Sequence, residues 1–151
     1  MRLEYRLDDE YQKFPALWSY LDLTVSEAVA RMTCEYFVKE SETYVVTATA
    51  IDPDGTTVLF VKKEKSSYDD ITDEQYSHIG FEVRELQRNR SVLIEKKDVW
   101  NHEEVLVVLH SDIIYIQRDG RFLEFALDSR EIDEDRKCYV YYGSFTGESR
   151  Q

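Results

Sequence analysis

Glycine and proline are scarce in this chain, with five and two among 151 residues. The shortage of glycine leaves no GxGxxG stretch and no GxxxxGK followed by serine or threonine, so a phosphate-cradling loop and nucleotide hydrolysis are disfavoured. Cysteine is equally sparse. Cys34 and Cys138 sit far apart, in neither a CxxC nor a metal-ligand spacing, which excludes a disulfide scaffold and a thiolate zinc site. Two reduced, buried thiols are expected, and with them a cytoplasmic location. No apolar run approaches the roughly eighteen residues of a membrane-spanning helix, so no membrane contact is expected. The opening MRLEYRLDDEYQ carries neither a basic leader nor an Arg-rich transit pattern. Positive charge is the last deficit. Nineteen basic residues face 31 acidic ones, for a formal net charge of −12, which disfavours unspecific attachment to nucleic acid.

What is present is strand grammar. Thr43 to Lys65 reads as strand, turn and strand: β-branched and aromatic residues flank Asp52-Pro53-Asp54-Gly55, where proline presets one φ and glycine supplies a positive one. Met1 to Leu7 alternates with period two and is expected as an edge strand. Phe14, Leu17, Trp18 and Leu21 fall at i, i+3, i+4 and i+7, with Pro15 at a first helical position, so a short helix is expected there. Thr24-Val25-Ser26-Glu27 has the form of a capping box and opens a second helix over 25–38. Phe81 to Leu86 and Ser91 to Lys96 flank a polar connection. Val105 to Leu109 and Ile113 to Ile116 read as central strands covered on both faces. Asp119-Gly120 marks a further hairpin, and Cys138 to Tyr142 the final strand.

The element order predicts one α+β domain over 1–142: an N-terminal strand and two helices, then a curved antiparallel β-meander of about seven strands. In element order alone this layout resembles that of helix-grip folds. Residues 143–151 are expected as a flexible C-terminal tail. The acidic segment 66–77 fits a short helix or an exposed loop, and no sequence repeat is visible.

The search for chemistry yields little. His102-Glu103-Glu104 lacks the second histidine of a zincin helix, and no metal or cofactor is expected. His110, Ser111 and Asp112 supply the residue types of a hydrolytic triad, but adjacent residues point in different directions and a polar turn explains them. Asp52-x-Asp54-Gly55 lacks the later ligands of a calcium loop. Glu124 lies among apolar neighbours in a strand and is the candidate pocket residue, since an inward face would raise its pKa. Arg84, Arg88, Arg90, Lys96 and Lys97 gather around one hairpin, where basic residues protect a sheet edge. Tyr139, Tyr141 and Tyr142 make the last strand unusually aromatic and form the candidate interface.

A non-catalytic cytoplasmic protein-interaction or regulatory module, with a protein partner, is the reading that requires least. One alternative is a pocket for a small molecule or substrate inside a cone-like sheet. Another is an acidic mimic of nucleic acid that occupies a basic partner, motivated by the net charge.

Overall fold

The computed structural model describes residues 1–65 and 74–151. Its elements fall into two sets of six. The first comprises β1 (Leu3–Leu7), β2 (Ala16–Tyr20), α1 (Val25–Thr33), β3 (Tyr36–Lys39), β4 (Glu42–Ile51) and β5 (Thr57–Lys63). The second comprises β6 (Ile79–Gln87), β7 (Arg90–Val99), α2 (His102–Leu109), β8 (Ile113–Arg118), β9 (Arg121–Asp133) and β10 (Cys138–Arg150). The described strands form one mixed sheet in the order β2-β1-β5-β4-β3-β9-β10-β6-β7, with β8 beside β9. This overturns the expected α+β fold with an antiparallel meander. Among the described residues the protein is mostly β, the two helices are short, and β1/β5, β3/β9 and β6/β10 pair in parallel.

The two sets are the same unit built twice. Within the first the strand order is β2-β1-β5-β4-β3, and within the second β7-β6-β10-β9-β8. Every pairing matches in sense, including the parallel contact between opening and closing strands. Each unit sends its chain from the second strand through the helix to the third. Both then make a two-residue hairpin with positive φ at both central positions, Glu40 and Ser41 (53° and 64°) and Asp119 and Gly120 (52° and 73°). That geometry matches the twist of the flanking strands. The helices lie side by side in the same direction: Ser26 donates to Glu103 at 2.9 Å near their starts, and Thr33 meets His110 at 3.3 Å near their ends, each pair 77 residues apart. Equivalent residues of the two helices therefore face one another.

Caps decide where the helices form. Thr24 Oγ1 accepts from the Glu27 N–H at 3.2 Å and Glu27 Oε2 from the Thr24 N–H at 3.0 Å, completing the expected capping box. α1 nevertheless stops at Thr33, because Tyr36 to Lys39 is drawn into β3. α2 occupies part of the segment expected as a central strand. Asn101 Oδ1 accepts from the Glu104 N–H at 3.1 Å, Glu103 and Glu104 place negative charge in the first turn, and Val105 and Leu109 are buried at i and i+4. The β-branched run alone read as a strand. The helix expected over 14–21 is instead β2: Trp18 and Tyr20 face their cross-strand partners Tyr5 and Leu3 with period two. β1 is consequently interior rather than an edge. The hairpins at 52–55, 87–90 and 118–121 form as expected.

Residues 143–150, expected as a loose tail, continue β10 along β9 to Arg150. Of the acidic segment, 66–73 lie outside the described residues and 74–77 are irregular.

One face of the sheet packs on both helices, with Tyr5, Phe37, Val83, Phe125 and Tyr141 against Ala28, Val105 and Leu109. Beside this shared core and the β3/β9 pairing, polar contacts also join the units. Arg130 and Glu35 form a bidentate pair, with 2.7 Å between Nη2 and Oε1, and the Asp135 carboxylate accepts the Glu40 and Ser41 N–H groups at 2.8 and 2.9 Å. Glu134 reaches into the first unit, where Arg31, Lys39 and the Tyr20 hydroxyl converge on it.

Candidate binding groove

The register of the two units locates the site. Glu4-Tyr5-Arg6 on β1 and Glu82-Val83-Arg84 on β6 make the same contact, arginine Nε donating to glutamate Oε1 at 2.7 Å. Glu4 pairs with Ser19 and Glu82 with Lys96, while the caps Thr24 and Asn101 follow five residues after each. Tyr5 therefore corresponds to Val83, Trp18 to Glu95, Tyr20 to Lys97 and, counted from the caps, Arg31 to Val108. Phe37 and Ile116, each two residues before its hairpin turn, are the remaining match.

In the first unit these positions are filled by rings. Tyr5 stacks on Phe37 with centroids 3.9 Å apart, and Trp18 meets Phe37 and Tyr44 edge-on at 5.5 and 5.4 Å. The Arg31 guanidinium lies 4.2 Å from the Tyr20 ring, and Lys39 Nζ 5.8 Å from that of Trp18. Such contacts each add of order 1 kcal/mol to area burial.

In the second unit each of these five positions holds a smaller or charged side chain, whereas Leu3 is replaced by a larger one, Phe81, and the space between β7 and β8 stays open as a groove of about 460 Å³. Phe81, Val83, Val108 and Ile116 form its apolar floor, and Glu95, Lys97 and Tyr115 stand on its rim. Its volume lies within the roughly 300–1,000 Å³ typical of ligand sites. Lys96 turns toward Glu74, with Nζ 2.7 Å from the carboxylate. Among the described residues Glu95 and Lys97 have neither an ion pair nor a hydrogen bond from their side chains. Among the described residues β7 pairs only with β6 and β8 only with β9, so the groove is bordered by two strand edges that no described strand pairs with.

The candidate interface and pocket residues singled out from sequence lie elsewhere, whereas Lys96 and Lys97 of the basic cluster line the groove. Tyr139, Tyr141 and Tyr142 are 3%, 0% and 2% exposed, so the expected aromatic solvent face is interior. Tyr139 and Tyr141 belong to the helix-side core, where burial pushes the Tyr141 phenol up to about 12 and its hydroxyl donates to the Ser111 carbonyl at 2.6 Å. Tyr142 faces the opposite side and donates to Glu131 at 3.1 Å. Glu124 is half-buried at the β8/β9 surface and accepts from Thr146 and Tyr115 at 3.1 and 3.4 Å, outside the groove lining. His110 caps α2 and contacts Leu106 and Thr33, while Ser111 donates to Val107, so the two do not form a nucleophile–base pair.

Two further polar clusters stand outside the groove. On the outer face of the second unit, Glu82 accepts from Arg84, Arg136 and Tyr76, and the Tyr76 ring lies so close over Gly80 that a side chain there would overlap it. Burial opposes the Glu82 charge, but those hydrogen bonds hold its carboxyl below the usual range. Neighbouring Glu131 goes the other way, pushed up to about 7 by burial and by Asp133. At the helix starts, a pocket of about 280 Å³ is lined by Glu27, Arg31, His78, His102, Lys137 and Tyr139 among others. Burial holds the His102 imidazole below its usual pKa despite Glu27 at 3.7 Å.

Glu95, Val108 and Ile116 were missed in the sequence and Lys97 was read only as edge protection; the equally spaced caps carried the signal, whereas Glu-x-Arg stands at 134–136 and 148–150 as well as at 4–6 and 82–84. Comparison with known protein families, curated proteins and solved structures finds no match to this chain. No helix among the described residues is long and apolar enough to cross a membrane.

Proposed function

We propose that this chain is a protein-interaction module whose binding surface is the groove between β7 and β8, which receives an extended segment of a protein partner. The observation that carries this reading is the contrast within the duplicated unit: the space that Trp18 and Tyr20 occupy in the first is open in the second. An extended segment laid there adds a strand to one of these edges and gains main-chain hydrogen bonds, while its alternate side chains enter the apolar floor. Burying one large apolar side chain on that floor contributes about 1.5–3 kcal/mol. The test is selection of random displayed peptides on the folded protein, followed by methyl NMR of Val83, Val108, Ile114 and Ile116. Selected peptides should shift these methyls and lose about tenfold in affinity, 1.4 kcal/mol, against Glu95→Trp. Peptides that bind without shifting them, or that bind Glu95→Trp equally well, would defeat the proposal.

A small-molecule reading has a separate observation behind it, the 280 Å³ pocket where Arg31, His102 and Lys137 face a mixed acidic wall. A metabolite that raises the melting temperature of the wild type but not of His102→Phe would favour it. The acidic-mimic reading rests on net charge alone.

A further inference from the structure

We infer that the side chain seated in the groove is aromatic and that its segment carries a carboxylate for Lys97 and a cation for Glu95. This rests on the groove reading above and specifies the partner's chemistry. The first unit shows what fills this architecture: rings from β2, met by Phe37 and Tyr44 across the gap and by cations at the margin. The second unit keeps the frame, with the same Glu-x-Arg contact on its opening strand and the same hairpin geometry, and removes the rings. In place of Trp18 and Tyr20 it presents Glu95 and Lys97, two residues apart on one face of β7, opposite Val83 and Phe81.

The two losses are complementary. Removing the rings leaves an apolar floor that favours a flat, rigid side chain, which loses little conformational freedom on seating. Substituting opposite charges leaves a rim that a segment of one sign satisfies only in part, because a second carboxylate would face Glu95 and a second cation Lys97. An extended segment, whose alternate residues face one side, can present acid and base at the same two-residue spacing as Lys97 and Glu95. The bordering edges of β7 and β8 assign the ring to a polypeptide rather than to a free molecule, which could not use them.

The experiment titrates capped synthetic peptides into the full protein, with binding read from the groove methyls. The parent peptide holds one tryptophan with an aspartate and a lysine on the same strand face; companions replace tryptophan by leucine or aspartate by asparagine. Tryptophan to leucine should weaken binding about tenfold and aspartate to asparagine about threefold, the latter difference vanishing in Lys97→Met and reversing in Lys97→Glu. Glu95→Trp and Lys97→Tyr, both at exposed positions, should each weaken binding about tenfold while raising the melting temperature. Equal affinity for the leucine peptide would overturn the aromatic assignment while leaving the groove reading intact. N-acetyl-tryptophan binding as tightly as the parent peptide would overturn the assignment to a polypeptide. If neither these peptides nor those selected by display shift the groove methyls, the groove reading itself falls.

Discussion

The two units share a backbone plan and differ in what lies between their second and third strands. In the first, Tyr5, Trp18, Tyr20 and Phe37 close the space; in the second, Val83, Glu95, Lys97 and Ile116 leave it open. One topology therefore supports both a filled core and a surface groove, and the choice rests on a few side chains rather than on the strands. The outer faces differ as well. The first unit carries a part-exposed cluster, with Glu4 accepting from Arg6 and Ser19, whereas the second buries Glu82, Arg84, Glu131, Asp133 and Arg136. The filled unit is where a deletion should cost stability, and the open one where an addition should be tolerated.

Trp18→Ala attacks that difference most directly. It removes the ring packed on Phe37 and Tyr44 and should cost about 3 kcal/mol in chemical denaturation, while leaving groove binding within a factor of about two. A loss below about 1 kcal/mol would mean that the first unit is not held by its aromatic filling.

The next effect is a pH dependence confined to the second unit. The folded-state pKa of Glu131 is raised to about 7 from an ordinary 4.5, so its contribution to stability is fully present below pH 4.5 and is lost as pH rises through 7. The loss is of order 3 kcal/mol. Glu131→Gln should flatten that interval of the stability profile and make the protein more stable than wild type at neutral pH. Glu82, whose carboxyl is held low, acts with the opposite sign at more acidic pH. A wild-type profile that does not fall between pH 5 and 7, with Glu131→Gln superimposable on it, would remove the buried carboxyl from the account.

Two substitutions have smaller effects. Asp135→Ala leaves the Glu40 and Ser41 N–H groups without their acceptor and should cost about 1 kcal/mol, read as an earlier denaturation midpoint. Glu95→Trp imports the first unit's ring into the second and should gain about 1 kcal/mol. Destabilisation by this exposed-site substitution would show that the groove cannot be filled as its counterpart is, and that the correspondence of the two units ends at the backbone.

Local chemistry was legible in the sequence wherever a turn or cap specifies backbone geometry. Asp52 to Gly55, Asp119-Gly120 and the Thr24–Glu27 box all appear as read. Amphipathic spacing misled where two periods overlap: Leu17, Trp18 and Leu21 satisfy a helical spacing, but Trp18 and Tyr20 also satisfy a strand's, and Tyr5 and Leu3 across the pair decided it. At 105–109 the β-branched run concealed a helix that Asn101 announces. The candidate site was not legible because a groove is defined by absent volume. Glu95 and Lys97 are ordinary exposed strand residues until the second copy of the unit shows rings in their places. The duplication itself was hidden, since only the caps and the hairpin turns recur at matching places, while Glu-x-Arg also stands at 134–136 and 148–150, outside the repeat.

The turn between β3 and β4 holds two non-glycine residues at positive φ, and its two amides are bound by a carboxylate that belongs to the other unit. Glu40 and Ser41 consequently act as a gauge of docking between the halves. In hydrogen exchange these amides would become labile whenever the seam parts, even while each unit's own ladder stays protected. Their rates against those of the central strands would distinguish a molecule that opens between its two units from one that unfolds as a whole.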